Sequence, residues 1–237
     1  GLCFNMGSPL YGWFGEPINA YEGLQIAHYL DIKGKDGFVY ETWFNPPLAQ
    51  ALTMPGWLDT HYQNMQRYNE MVAVGVLVGT ESNAYIDRAL LINGPDVVYK
   101  PSPRDLERLL EAFKILGSVL FEAGAKEVFA STRKYHSYTP TNGKAYAQMV
   151  VPNDLNHLEA LVRSDDDLLL GTGHPQGGNA IGTRPDGPGA SVVDERFKVF
   201  GYDNLYVCDA SVHPTATTVN PQLTVMTLAH YASQFIE

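Results

Sequence analysis

Two residues of this chain stand where their types and surroundings could do chemistry. His174 lies in the turn Gly171-Thr-Gly-His-Pro-Gln-Gly-Gly-Asn-Ala-Ile-Gly182, where Gly171, Gly173, Gly177, Gly178 and Gly182 let backbone approach a bulky ligand closely. Imidazole is the side chain that changes charge near neutral pH, so it suits a general base that removes a hydroxyl proton. A loop histidine satisfied by backbone hydrogen bonds is the competing reading, and the local sequence leaves both open. Asn220 stands before Pro221 at the start of a run that reads as a helix over 221–236. Asn followed by Pro suits a helix cap and first turn, yet an amide there can also donate toward a substrate oxygen. The start of that helix aims unpaired N–H groups and a partial positive charge at whatever lies before it. A ligand able to carry negative charge fits such a place.

Other side chains offer less. His213, in Ser211-Val-His-Pro-Thr215, follows a strand-like run and reads as structural or supporting. His28, His61, His136, His157 and His230 have no companions at metal-ligand spacing, and no metal site is expected. Cys3 and Cys208 cannot form a disulfide framework and read as small core residues. The run Asp165-Asp166-Asp167 lacks the glycine and alternating ligands of a calcium loop and reads as a solvated turn. Gly7-Ser8-Pro9 is not a nucleophile elbow. With 237 residues, 45% of them hydrophobic, the chain can bury a core as one large domain or two small ones, and its net charge is −10. It is poorly suited to nucleic acid or anionic membrane, and no apolar run approaches the length of a membrane helix. The opening Gly1-Leu-Cys-Phe-Asn-Met reads as the middle of a fold and predicts a piece of a longer polypeptide.

The elements that must position these residues fall into two parts. Strands are expected over Leu24–Ile32 and Gly37–Phe44, with a turn at Lys33–Gly37, and over the wholly apolar Met71–Gly79, which suits a strand buried on both faces. Shorter strands are expected at Asn83–Asp87, Leu90–Asn93, Asp96–Lys100 and Ala145–Val151, with short helices over Trp57–Tyr68 and Asn153–Val162. The clearest helix runs from Pro103 to Ala123: Ser102 can cap it, Asp105 favours its positive end, and Gly124 ends it. Its stripe of Leu106, Leu109, Leu110, Phe113, Leu116 and Leu120 is packing. In the helix over 221–236, Leu223, Met226, Ala229, Ala232, Phe235 and Ile236 form the expected packing face. The fold class is thus α+β: residues 1–165 form an antiparallel sheet backed by helices, and residues 166–237 return to a ligand-binding layer. Trp13, Phe14, Trp43, Phe44 and Trp57 either line an apolar pocket or fill the core.

The order His174-Pro-Gln-Gly-Gly-Asn-Ala-Ile-Gly182, Ser191-Val-Val-Asp194, Asn204-Leu-Tyr-Val-Cys-Asp-Ala-Ser-Val-His-Pro-Thr215, then Val219-Asn-Pro221 resembles the C-terminal signature of the glucose–methanol–choline (GMC) flavoprotein oxidoreductases. More weakly, Leu2–Leu10 resembles the segment after that family's flavin loop, and 71–127 its substrate-domain sheet and long helix. The resemblance implies an FAD-dependent enzyme oxidising the CH–OH group of an alcohol. It places His174 and Asn220 at the catalytic positions, Asp209 and Ala210 by the ribityl–pyrophosphate region, and Asn220, Pro221, Gln222 and Leu223 where a helix start meets the flavin. It makes 1–165 the substrate-binding domain and 166–237 the segment completing the FAD-binding domain. Asn179 departs from the pattern, standing where many members have Cys. No Gly-x-Gly-x-x-Gly opens a helix in this sequence, so the expected partner is an N-terminal FAD-binding portion of the same enzyme, on a separate chain or an excised segment. Two alternatives remain: hydroxynitrile lyase-type activity in the same flavin scaffold, and a non-catalytic fragment that binds no FAD without its N-terminal half.

Overall fold

The computed structural model describes residues 1–32, 37–81, 84–89, 94–132 and 168–236. The turn at Lys33–Gly37 lies mostly outside them. The expected strands at Leu90–Asn93 and Ala145–Val151, the helix over Asn153–Val162, the acidic run and the boundary between 165 and 166 lie wholly outside. The chain divides into two compact units: residues 1–6, 79–105 and 172–237 form the first, and residues 7–78 and 106–171 the second. The class is α+β, with antiparallel pairing in every strand ladder described.

In the second unit the sheet is built from β1 (Leu2–Trp13), β2 (Tyr29–Asp31), β3 (Phe38–Trp43), β4 (Met71–Gly79) and β7 (Glu127–Ala130), in the order β2-β3-β4-β1-β7. β4 alternates sides as its sequence requires. Met71 and Ala73 join Tyr11, Met54 and Phe129 in one buried cluster, packed by Trp13, Trp43 and Met65. Met54 ends helix α1 (Pro47–Thr53) and Met65 belongs to α2 (Asp59–Gln66), so these helices supply the cover on that side. On the other side lies α3 (Pro103–Glu122), whose Leu109, Phe113, Leu116 and Leu120 are buried. The Tyr40 hydroxyl donates to Ala112 O at 2.8 Å, joining β3 to this helix. A strand sandwiched in this way has no wet face, which is why β4 carries no alternating polar residues.

Local chemistry sets the ends. Ser102 Oγ accepts from Asp105 N at 3.2 Å and Asp105 Oδ2 accepts from Ser102 N at 3.3 Å, a reciprocal cap on α3. Gly124, at φ +102, closes it. Gly75 has a packing reason to lack a side chain: a Cβ there would lie 2.0 Å from the Trp43 indole. Trp13 carries the Arg67 guanidinium 3.7 Å above its ring, donates to Glu70 at 2.6 Å, and Arg67 pairs with Glu127 at 2.6 Å. Trp13 and Trp43 are thus half-buried and pack against the core cluster, while Trp57 is 66% exposed.

The first unit contains the start of β1, the hairpin of β5 (Tyr85–Arg88) and β6 (Pro95–Val98), the short β8 (Pro175–Gly177) and helix α4 (Gln222–Ala232). Leu2–Phe4 of β1 pairs with β8. A small core of Val193, Phe197, Val212 and Ala232 is packed by Ile181, Val199, Val207, Cys208 and Leu228.

Three expectations need correction. Leu24–Ile32 is a strand only at Tyr29–Asp31, because Ile26 sits at φ +55, outside extended backbone. The run Asn204–Ser211 is not a continuous strand: it makes a bridge at Tyr206 and a 3₁₀ turn from Ala210, since a strand without a full ladder beside it has nowhere to place its N–H groups. The helix near the C-terminus buries Ala232, but Leu223 and Met226 are 75% and 60% exposed, so the expected packing face is split.

Gly75→Ala should lower stability by about 1–3 kcal/mol through overpacking on Trp43. Gly171→Ala, whose Cβ meets nothing within 4 Å, should stay within about 0.5 kcal/mol of wild type. Urea unfolding midpoints of the two variants test this; equal midpoints would contradict the packing account.

Candidate active site

The turn carrying His174 starts from a threonine and ends in β8. Thr172 Oγ1 accepts from His174 N at 2.9 Å and donates to Asn5 O at 2.8 Å, fixing the turn to β1. Asn5, fully buried, sends its own amide the other way: Nδ2 donates to Thr218 O at 2.9 Å. The residues two positions from each candidate, Thr172 and Thr218, thus meet on one side chain and its backbone. The stretch around Gly79 is equally close to this loop, since a Cβ at Gly79 would lie 3.1 Å from Thr217 O.

A second tie runs through Gln176, which is 1% exposed. Thr217 N lies 3.2 Å from Gln176 Oε1. A backbone N–H can only donate, so this atom is the amide oxygen and the amide orientation is set. His213 Nδ1, 2.7 Å from the same oxygen, must then donate to it. His213 is therefore the Nδ1–H tautomer, with Nε2 left buried and without a partner. Gln176 Nε2 faces Thr217 Oγ1 at 3.2 Å and His174 O at 3.4 Å. Thr217 Oγ1 in turn donates to Val219 O at 2.6 Å, one residue before Asn220.

The electrostatics favour a neutral base. Burial pushes the His174 pKa below its ordinary 6.5, and its Nδ1 is buried with no hydrogen-bond partner. Burial lowers the His213 pKa as well. Both imidazoles are uncharged at neutral pH, the state a base needs before it takes a proton.

Asn220 is partly buried and Pro221 buried, while Gln222 and Leu223 open α4 in exposed positions. No side chain caps this helix, so the cap expected of Asn220 is not made. Its first N–H groups and the positive end of its dipole remain available to a ligand. Asp209 and Ala210 border a cleft of about 670 Å³ with Gly177, Gly178 and Asn179, next to Leu2, Tyr85 and Ile86. Asp209 Oδ1 accepts from Ser211 N at 2.8 Å, and Asn179 Nδ2 donates to Ser211 Oγ at 2.9 Å, so this wall is internally bonded. A Cβ at Gly178 would meet nothing within 4 Å. An unpartnered imidazole nitrogen and an uncapped helix start suit the ring end of a flavin, while the glycine-lined cleft is bordered by neither His174 nor residues 220–223. No group of three His, Cys, Asp or Glu among the described residues could hold a metal, and no described helix is long and apolar enough to cross a membrane.

Sequence reading singled out His174 and Asn220 but missed Gln176, Asn5, Thr172 and Thr217, which connect their segments. The available signal was a glutamine inside a glycine-rich turn, one step from a strand, where a polar side chain needs partners if buried.

Comparison with known proteins gives the family of this chain. Residues 90–229 match the family model described as GMC oxidoreductase. An uncharacterized GMC-type oxidoreductase of Sinorhizobium fredii is 31% identical over 228 residues, covering 91% of this chain and 40% of the relative. One from Mycobacterium tuberculosis is 26% identical over 232 residues, covering 96% of this chain and 34% of the relative. The crystal structure of pyridoxine 4-oxidase from Mesorbium loti superposes with a TM-score of 0.54 at 17% identity, covering 99% of this chain and 43% of that one. The chain belongs to the GMC oxidoreductases, a family of flavoproteins. It spans 34% and 40% of the length of the two curated relatives.

The depressed histidine pKa values set a pH dependence. Because the unfolded residue titrates at 6.5 and the folded one lower, the His213 contribution is complete above 6.5 and is lost as pH falls through the folded value. His213→Asn, which keeps a donor toward Gln176 but does not titrate, should lose less stability on acidification than wild type, by up to about 1.4 kcal/mol per pH unit. Denaturant midpoints above and below pH 6.5 measure it; parallel curves would contradict the assignment.

Proposed function

We propose that this chain forms the substrate-facing and flavin-facing part of an FAD-dependent oxidoreductase that oxidises the CH–OH group of an alcohol. The observation carrying this reading is the meeting of the His174 and Asn220 segments on Asn5, where Thr172 and Thr218 hydrogen-bond the same residue. FAD, when bound, would supply the hydride acceptor. The neutral His174 imidazole takes the hydroxyl proton of the alcohol as the carbon-bound hydrogen leaves. Asn220 donates to the alcohol oxygen and fixes the carbon's orientation. The uncapped start of α4, with Pro221, Gln222 and Leu223, would favour a bound group that carries negative charge. Asp209 and Ala210, on the wall of the cleft, would meet the ribityl–pyrophosphate portion. In this reading residues 1–165 bind substrate and residues 166–237 complete the FAD-binding domain.

The partner in this proposal is an N-terminal FAD-binding portion of the same enzyme. Support comes from three facts: the sequence has no Gly-x-Gly-x-x-Gly loop for the pyrophosphate, the chain spans 34–40% of its relatives, and Leu223 and Met226 are exposed beside the candidate site. Activity therefore requires both portions together.

In the flavin-loaded complex, His174→Ala should slow anaerobic bleaching of the flavin by an alcohol about a hundredfold or more. Bleaching at the wild-type rate would remove His174 from the role of base. Turnover of substrate without any bleaching would replace alcohol oxidation with lyase chemistry.

A further inference from the structure

We infer that Gln176 is a positioning residue that locks the turn of His174 to the segment leading to Asn220. This rests on the proposed function for its catalytic consequence, but its geometry stands on the chain alone. Gln176 is the buried side chain through which three segments of the first unit are joined. Its oxygen receives Thr217 N at 3.2 Å and His213 Nδ1 at 2.7 Å. Its nitrogen reaches Thr217 Oγ1 at 3.2 Å and His174 O at 3.4 Å. Thr217 passes the restraint on to Val219 O at 2.6 Å.

Each of these partners pays for its burial only while the amide is present, so the arrangement is close to all-or-none. The turn needs such a restraint. Gly177 and Gly178 sit at φ +77 and +104, and a Cβ at Gly177 would lie 2.3 Å from Gly1 O. Backbone of this kind has many unfolded-state conformations and little side-chain packing to hold it. On the other side, the loop before α4 carries no helix-capping side chain. Together with the tie through Asn5, Gln176 therefore sets the relation of the His174 ring to the Asn220 amide without touching the substrate, and a misplacement of about 1 Å in such a pair can cost about a hundredfold in rate.

The test uses two variants of nearly equal size. Gln176→Leu removes every side-chain hydrogen bond of this residue; Gln176→Glu keeps the acceptor for Thr217 N–H and His213 Nδ1–H. In the full chain without flavin, Gln176→Leu should raise amide hydrogen exchange of Thr217 and Val219 about tenfold or more, with exchange in α3 unchanged. In Gln176→Glu the carboxylate should move the His213 titration upward, seen by NMR. In the flavin-loaded complex, Gln176→Leu should reduce the flavin-reduction rate constant about tenfold or more with the half-saturating alcohol concentration within about threefold, and Gln176→Glu should recover most of that rate. Unchanged exchange at Thr217, or a Gln176→Leu complex reducing its flavin at the wild-type rate, would overturn the inference. A wild-type complex that never reduces flavin, with exchange still accelerated in Gln176→Leu, would instead overturn the proposed function and leave the lock standing.

Discussion

A single buried carboxamide oxygen, Gln176 Oε1, organises the candidate site. It accepts from a backbone N–H and an imidazole N–H at once, and so fixes an amide orientation, a histidine tautomer and a loop path together. Buried polar groups are costly when unpaired, and here the unpaired ones are few and informative. His213 Nε2, His174 Nδ1 and Asn5 Oδ1 are all buried without partners. His213 Nε2 is the acceptor nitrogen of that tautomer: the ring's one N–H goes to Gln176 Oε1, and no donor faces Nε2. The same constraint explains why both histidines are held neutral, because protonating either would place a charge where little water or acceptor is available.

The second unit shows a different economy. Its sheet is covered on one side by α3 and on the other by α1, α2 and a methionine-rich cluster, so its polar contacts lie at the margins, as in the Trp13, Glu70, Arg67 and Glu127 group. In the first unit the core is small, built on Val193, Phe197, Val212 and Ala232, and hydrogen bonds from side chain to backbone carry much of the loop structure. Loops positioned by a scaffold are where binding groups concentrate. The exposed Leu223 and Met226 then read as surface kept for the flavin-binding portion in the proposed enzyme, not as misplaced core.

How much could be seen from residues alone follows from the same physics. β4 and α3 were legible because their signals are local: nine residues without a polar side chain, and a capped stripe at helical spacing. The turn of His174 was legible by its glycines. The 204–211 run was misread as a strand because β-propensity says nothing about whether a neighbour is present to complete the ladder. The helix face with Leu223 and Met226 was misread because periodicity identifies an apolar side without naming what covers it. Gln176 and Asn5 were passed over because their meaning is wholly non-local: their partners lie 41 and 213 positions away in sequence, and no short motif encodes that.

The central claim is that His174 and Asn220 act on one alcohol oxygen. A double-mutant cycle of His174→Ala and Asn220→Ala, read as the rate constant of anaerobic flavin reduction in the loaded complex, tests it most directly. If the two groups work as a unit, the double variant will be about as slow as the slower single variant. Rate losses that simply multiply would mean the two residues act independently, and would contradict a shared site.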